Sequence, residues 1–425
     1  MTSDWGERDR AVVWHGFTQM DSYLENSPVI VERAEGHYLI DVDGRRYLDA
    51  ISSLWVSTFG HRVPELDAAL VDQLGRVAHS TQLGNGNRIV IELSEALAAV
   101  VPVDRPHFLY ASDGAAAVEQ SLKIAFQYWR NQGVQDRDRY LALGGAYHGD
   151  TVGALSLGGG GFGTDLFDPL RFPVVRAPGY DDPRALTTAS ELVRAHADEL
   201  AAVIVEPLVQ GAAGMQLADA GAFGELQQAC RNTGALLICD EVATGFGRTG
   251  ALFASERCGL RPDIMCLGKG LTGGYLPMSA TAVTENVFDA FLGEDLGPRT
   301  LYHGHSYQGN ALAAAVALRH LRLIEERSAL ANVNERSKQL DVLLEERVAP
   351  LPAVADIRLA GLMCGVELHP GERLGRRVCA AALKRGVLLR PLGDVIVLMP
   401  PLSVTNEEIA TIVEALAGSI LEVTA

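Results

Sequence analysis

The sequence predicts an α/β fold, with a large domain on a mostly parallel sheet and a smaller α+β domain built from both chain ends. Three observations carry this. Between residues 107 and 267 short apolar runs alternate with helical patterns, the mark of crossover connections. Those runs close on polar or glycine-rich segments, as strands do where they meet a ligand crevice. From about residue 320 the texture changes to a charged amphipathic stretch followed by short strands. The 425 residues, 48% hydrophobic and 21% charged, exceed what one compact domain usually holds. Residues 1–60 are expected to join the small domain, 61–320 to form the large one and 321–425 to complete the small one.

Taken in order, the strands of the large domain are expected at His107 to Tyr110, Tyr140 to Leu143, Ala201 to Val205, Ala235 to Cys239 and Ile264 to Leu267. Between the first two, Val118, Leu122, Phe126 and Trp129 recur at helical spacing and predict one apolar face of a helix. Ser112-Asp113-Gly114-Ala115 opens that helix. In the small domain the pattern predicts a helix over Leu321 to Glu346 and strands near Asp356 to Leu368 and Val395 to Met399. Because ligands gather at the carboxyl ends of parallel strands, Asp113-Gly114, Tyr147 to Asp150, Glu206 to Gln210, Asp240-Glu241 and Lys269 are expected to converge on one crevice.

Charge narrows the partners. A net charge of -17 disfavours nucleic acid and anionic membrane, and makes a local basic anchor necessary for any small anionic substrate. The six cysteines have no CxxC spacing, and Cys239 and Cys266 fall inside apolar strands, so a reduced, cytoplasmic chain without a metal site is expected. Met1 to Arg10 lacks the apolar core of a signal peptide, and no run reaches the length of a membrane span.

The chemistry lies at two strand ends. Lys269 follows the apolar run Ile264 to Leu267, and Asp240 closes the run Leu236-Leu237-Ile238-Cys239, 29 residues earlier. An amine and a carboxylate delivered to one rim are what pyridoxal 5'-phosphate (PLP) chemistry needs: the amine forms a Schiff base, and the carboxylate faces the pyridinium nitrogen. A buried lysine without such a role is costly. The phosphate needs an anion cradle, and Gly114 and Ala115 open a helix, where backbone N–H groups and the helix dipole face a ligand. Val242 is expected to pack on a ring face. Tyr147 is expected to stack on the other face or line the substrate channel. Gly158-Gly159-Gly160-Gly161-Phe162-Gly163 looks superficially like a dinucleotide loop, but no clear helix or acidic residue follows at the required places, and a surface loop is expected.

Asp240-Glu241-Val242-Ala243-Thr244-Gly245-Phe246-Gly247-Arg248-Thr249-Gly250, followed by Leu267-Gly268-Lys269-Gly270, resembles the signature of the class III aminotransferases of PLP fold type I. Trp14 to Met20, Ser52 to Trp55, Ala125 to Trp129, Tyr147 to Thr151 and Arg390 to Gly393 are similar to the biotin-pathway branch of that family, which transaminates 8-amino-7-oxononanoate. The resemblance runs from about residue 12 to the end. It implies Lys269 as the Schiff-base lysine, Asp240 as the pyridinium partner, Gly114 and Ala115 as the phosphate cradle, and Tyr147 beside cofactor and substrate. It further implies that Gly304 touches substrate, that His305 and Ser306 reach the phosphate of a neighbouring subunit in a homodimer with shared sites, and that Arg390 holds the substrate carboxylate. An arginine fork suits that task in a way lysine cannot copy.

The chain departs from the family pattern in places that bear on substrate. His305 and Ser306 stand where a proline and a threonine are frequent, Leu54-Trp55 where a tryptophan pair walls the channel, and Val397 where a tyrosine is common. Phe17 replaces the tyrosine typical of members that take nitrogen from S-adenosylmethionine, which points to L-lysine as donor. Two other readings compete. One is a different class III ω-aminotransferase acting on another donor and keto acid, with Phe17, Leu54, Trp55 and Val397 making the difference. The other is a noncatalytic nucleotide-binding α/β protein, for which the glycine run is the only support.

Overall fold

A computed structural model describes residues 4–26, 28–160 and 163–425. The five expected strands are present at His107–Ala111, Arg139–Leu143, Leu200–Val205, Leu236–Asp240 and Ile264–Leu267. Two more, Val175–Ala177 and Ser279–Val283, complete a seven-stranded sheet. Its order is 107–111, 279–283, 264–267, 236–240, 200–205, 139–143, 175–177. All neighbours are parallel except that Ser279–Val283 runs antiparallel to the strands on both its sides. Two reversals cancel, so His107–Ala111 runs in the same direction as the parallel core. The interior strand Leu200–Val205 is buried at every position, as a strand covered on both faces must be.

The helix after the first strand spans Gly114–Asn131, capped by Asp113, whose Oδ1 accepts the Ala116 N–H at 2.9 Å. Its buried residues are Ala117, Val118, Gln120, Ser121, Leu122, Ile124 and Ala125. Phe126, expected on the apolar face, is instead 40% exposed, with the Arg130 guanidinium 4.5 Å from its ring centroid. Small residues at 117, 121 and 125 let the helix lie close to the sheet, and that rotates Phe126 outward.

The expected helix over residues 321–346 is two helices, Ala311–Glu326 and Ala329–Arg347. Apolar periodicity continues across the junction, but Ser328 sits in the left-handed region at φ 49° and breaks the chain direction. Beyond it, Val354–Ala360, Met363–Leu368, Val395–Leu398 and Arg390–Leu392 form a four-stranded antiparallel sheet. A further sheet joins Val31–Glu35, Tyr38–Asp41 and Arg46–Asp49 to Val387–Leu388, with Leu48 paired to Val387, so segments from both ends of the chain share one ladder. Leu48, Val366, Val378, Ile396 and Leu416 lie in the common core.

Within the glycine run, Gly161 and Phe162 lie outside the described residues, as do Met1 to Ser3 in the N-terminal stretch. Gly159 packs its backbone onto the turn at Gly144 and Gly145, and its N–H donates to Ala146 O at 2.7 Å. All six cysteines are free and buried. Among the described residues no helix is long and apolar enough to cross a membrane.

Candidate active site

Asp240 lies opposite Cys266 in parallel register, and Lys269 follows Cys266 by three residues. Parallel neighbours end on one rim, so the sheet delivers carboxylate and amine into one cavity of about 650 Å³. Strand alternation separates the two adjacent acids. Asp240 turns into the cavity, its Oδ1 accepting the Val242 N–H at 3.0 Å and its Oδ2 lying 2.7 Å from His148 Nδ1. Glu241 turns away and is consumed by structure, accepting from Thr244 Oγ1 at 2.6 Å, Ala254 N–H at 3.1 Å and Ser255 N–H at 2.6 Å.

Lys269 opens a short 3₁₀ turn with φ 42°, a conformation that L-residues adopt only when their surroundings impose it. Gly270 permits the turn to seat against Phe246, where a Cβ would stand 3.1 Å from the Phe246 Cβ. Burial holds the Lys269 pKa below lysine's ordinary value, although the charges of Asp240 and Glu206 oppose the shift. A lysine so depressed offers more of the free amine that condenses with an aldehyde.

The start of the Gly114–Asn131 helix faces the same space. First-turn N–H groups have no partner within a helix, and Asp113 caps only Ala116, which leaves Gly114 and Ala115 to present donors at the positive end of the dipole. Glycine is required there. A Cβ at 114 would stand 2.6 Å from Val242 Cγ1, the side chain that bridges the cradle to Asp240 and also packs on Gly268.

Trp55 also lines the cavity, with the Lys269 Nζ 5.0 Å from its ring centroid. It ends four consecutive non-glycine residues of positive φ, at 50° for Ser52, 54° for Ser53, 93° for Leu54 and 69° for Trp55. Each such residue costs about 1–3 kcal/mol and persists only when clamped. The clamp is Asp49, which accepts from Ser53 N–H at 3.0 Å and Ser53 Oγ at 2.8 Å, together with the Ser52 Oγ bond to Met399 O at 2.7 Å. The Trp55 ring packs on Gly211, and its buried Nε1–H has no partner among the described residues.

Tyr147 lines the cavity and donates its hydroxyl to Asp150 Oδ2 at 2.8 Å; burial pushes its pKa up. Beside it lies an acid to which the sequence attached no role. Glu206, 5% exposed, accepts the Tyr147 N–H at 3.1 Å and the Gly211 N–H at 3.2 Å, and so ties together the two segments behind Tyr147 and Trp55. Burial raises its pKa to about 7; His148 and the two N–H donors oppose the rise, and Asp240 adds to it. Only its position after the apolar run ending at Val205 marked it in the sequence.

Of the residues singled out from the sequence, Trp55, Gly114, Ala115, Tyr147, Asp240, Val242 and Lys269 line the cavity together. The segment with Gly304, His305 and Ser306 stays outside the lining and meets its rim, where His305 Nε2 lies 3.0 Å from Ser112 Oγ. Phe17 is 59% exposed and away from the lining. Leu54 is exposed, whereas Val397 is fully buried opposite Arg390 in the ladder. Arg390 is half-buried and stays outside the cavity lining, near enough to Tyr147 of that lining for the two to interact electrostatically, and it has no ion pair among the described residues. Burial lowers its pKa, the neighbouring Arg376 adds to that, and Tyr147 opposes it.

The class III aminotransferase profile matches residues 20–420, and the chain belongs to that family. It is a PLP-dependent aminotransferase of fold type I. The adenosylmethionine-8-amino-7-oxononanoate aminotransferase of Nitratidesulfovibrio vulgaris is 47% identical over 98% of this chain and 81% of its own. The enzyme of the same name from Geobacter sulfurreducens is 42% identical over 99% and 97%. Among solved structures, the adenosylmethionine-8-amino-7-oxononanoate aminotransferase from Methanocaldococcus jannaschii has a TM-score of 0.95 at 39% identity and covers 98% of both chains. An amine transaminase from an uncultivated Pseudomonas species, in its PLP-bound form, has a TM-score of 0.91 at 32% identity over 97% of this chain and 98% of the other. The cavity suits the family's cofactor, because the anion cradle at Gly114 is one that a Cβ would obstruct and the buried amine and carboxylate share its walls.

Proposed function

We propose that this aminotransferase converts 8-amino-7-oxononanoate to 7,8-diaminononanoate in biotin synthesis. The observation that carries the reading is the gathering of Lys269, Asp240 and the Gly114 helix start in one cavity, with the Arg390 guanidinium, which has no ion pair among the described residues, within electrostatic reach of the lining residue Tyr147. In a chain of net charge -17, an arginine without a carboxylate partner is suited to hold an anionic substrate. The names of relatives that match over nearly the whole chain support the keto acid.

PLP, when bound, supplies an electron sink that lets an amino group leave one carbon skeleton and join another. Gly114 and Ala115 would bind its phosphate through their N–H groups, and Val242 would pack against its ring. Asp240 would hold a proton at the ring nitrogen. Lys269 would hold the cofactor through its aldehyde carbon and, once free, its amine would carry a proton between the substrate Cα and that same carbon. Tyr147 and Trp55 confine the substrate and exclude water, while Arg390 orients the carboxylate away from the reacting end. Gly304 touches substrate, and His305 and Ser306 complete the phosphate site of a second copy, so the working form is a homodimer in the cytoplasm. The pairing of Leu48 with Val387 supports dividing the chain at residues 1–60, 61–320 and 321–425.

Two observations bear on the donor. The relatives are named for adenosylmethionine, whereas Phe17 lacks the hydroxyl expected of enzymes using that donor. L-Lysine is the reading that this chain's own residue favours, and S-adenosylmethionine is the second. Incubation of purified enzyme and 8-amino-7-oxononanoate with each donor decides between them. Failure of both donors, together with failure to restore growth of a biotin-requiring strain lacking this aminotransferase, would reject the substrate and favour another class III ω-aminotransferase.

A further inference from the structure

The four-stranded sheet of the small domain carries Arg390 on one edge strand, and a buried arginine, Arg358, stands on the other. Arg390 pairs with Val397, Val397 with Gly365 and Gly365 with Arg358, so the four residues form one row across the sheet. Residues directly opposite each other in antiparallel strands share a face. That face is turned to the large domain, because Val397 packs in a cluster with Trp55 and Met215, whereas its chain neighbours Ile396 and Leu398 pack in the small-domain core. Three strand spacings of about 4.8 Å put the two arginine backbones about 14 Å apart.

Arg358 uses its guanidinium to join the two domains. Its Nη1 donates to Asp356 Oδ2 at 2.7 Å and to Glu367 Oε2 at 2.6 Å, two carboxylates that face each other across neighbouring strands and would repel without it. Its Nε–H donates to Gly214 O at 3.0 Å, in the large-domain hairpin formed by Val209–Gln210 and Gln216–Leu217. Gly365 makes room for that carbonyl, since a Cβ there would stand 2.8 Å from Gly214 O. The same hairpin reaches the cavity: Ala212 lines it, Trp55 packs on Gly211, and the Gly211 N–H is held by Glu206 Oε2 at 3.2 Å.

Where the strands end near Leu362 and Pro400 the sheet is tied down separately, the Leu362 N–H donating to Arg248 O at 2.9 Å and Arg248 Nη1 donating to Pro400 O. A sheet held at one end is still free to tilt about it, and a tilt moves the edge that carries Arg390. We propose that Arg358 is a positioning residue that, by gripping Gly214, sets the distance from the Arg390 fork to Lys269 and so the length of the keto acid that fits between them. This rests on Arg390 as the anchor of the substrate carboxylate. Misplacing a substrate-positioning group by 1 Å costs about a hundredfold in rate, so a latch far from the reacting atoms has leverage.

The test compares the two half-reactions in holoenzyme carrying Arg358→Met. The donor is whichever of L-lysine and S-adenosylmethionine the parent accepts, and the keto acids are 8-amino-7-oxononanoate and its homologue one methylene shorter. The KM for 8-amino-7-oxononanoate is expected to rise about tenfold or more, the parent's preference between the two keto acids to shrink, and the donor half-reaction to stay within about twofold. Arg390→Ala is the control, and adding Arg358→Met to it should do no further harm to the keto-acid reaction. If Arg390→Ala spares the keto acid, the anchor reading itself fails. If Arg390→Ala acts selectively while Arg358→Met spares the keto acid, slows both half-reactions equally, leaves the preference unchanged or multiplies the loss in the double variant, the role of Arg358 alone is overturned. Should Arg358→Met not fold, Gly365→Ala decides, because its methyl group displaces the Gly214 carbonyl and leaves the guanidinium in place. The same selective loss then supports the proposal, and no loss or an equal one refutes it.

Discussion

Gly114→Ala tests the cradle with a single methyl group. The new Cβ would stand 2.6 Å from Val242 Cγ1 and 3.1 Å from Cγ2, whereas carbon atoms prefer about 3.5 Å or more. Something must give by close to an ångström. Val242 is β-branched and stiff, and its N–H is tied to Asp240 Oδ1 at 3.0 Å, so the helix start moves instead. Without cofactor that end can relax; with phosphate against it, it cannot, and the penalty falls on binding. Overpacking of this kind costs about 1–3 kcal/mol. At about 1.4 kcal/mol per tenfold, PLP affinity should fall about 5- to 150-fold. The assay is titration of apoenzyme with PLP, followed by tryptophan fluorescence, with Trp55 on the cavity wall as a local reporter. Adding Val242→Ala removes both obstructing methyl groups and should recover most of the loss. Gly114→Ala binding PLP within about twofold of the parent, or a double variant no tighter than the single one, would refute the reasoning.

Lys269→Ala should still bind PLP yet lack the absorbance of lysine-linked cofactor, and repeated turnover by that variant would contradict the role given to the amine. Arg390→Ala should lower kcat/KM for the keto acid about 30-fold or more, equivalent to about 2 kcal/mol, and act far less on the donor. Equal effects on the two substrates would remove the case for a dedicated carboxylate anchor. Glu206 gives a pH signature with a definite sign. Its pKa in the folded chain is about 7 against an ordinary 4.5, so below pH 4.5 both states are protonated and the group is neutral in stability. As pH rises from 4.5 to about 7 the unfolded chain ionises first, and up to about 3 kcal/mol of stability is lost, with no further change above that window. Urea denaturation of Glu206→Gln should therefore show a smaller loss between pH 5 and pH 7.5 than the parent, and parallel losses would show that the acid is not raised.

The cavity was legible in the sequence because its parts sit at strand ends, where an apolar run stops on a polar residue. Lys269, Asp240 and the Gly114 helix start are all of this kind, and each is set by local pattern. What escaped depends on distant partners or on small residues. Ser279–Val283 is a strand of Ser, Ala, Thr and Val, too mild in hydropathy to stand out, and it is defined by the two strands it separates. Val175–Ala177 is too short to show alternation. The break at Ser328 is a matter of one backbone angle inside unbroken periodicity. Phe126 shows that spacing alone does not say which way an apolar stripe faces when alanines offer the closer approach. His148 meets Asp240 across 92 positions, and no pattern near either residue signals the pair.

The reversed strand Ser279–Val283 has a consequence for how the protein comes to exist. His107–Ala111 is an edge strand whose only partner in the sheet is that segment, which leaves the ribosome after every other strand of the sheet. Until then the nascent chain carries an unpaired ladder, and such edges invite pairing with other chains. The Gly114 helix start that follows this strand is thus seated last, and if it cradles the phosphate as proposed, acquisition of vitamin B6 cofactor should mark the end of folding rather than precede it.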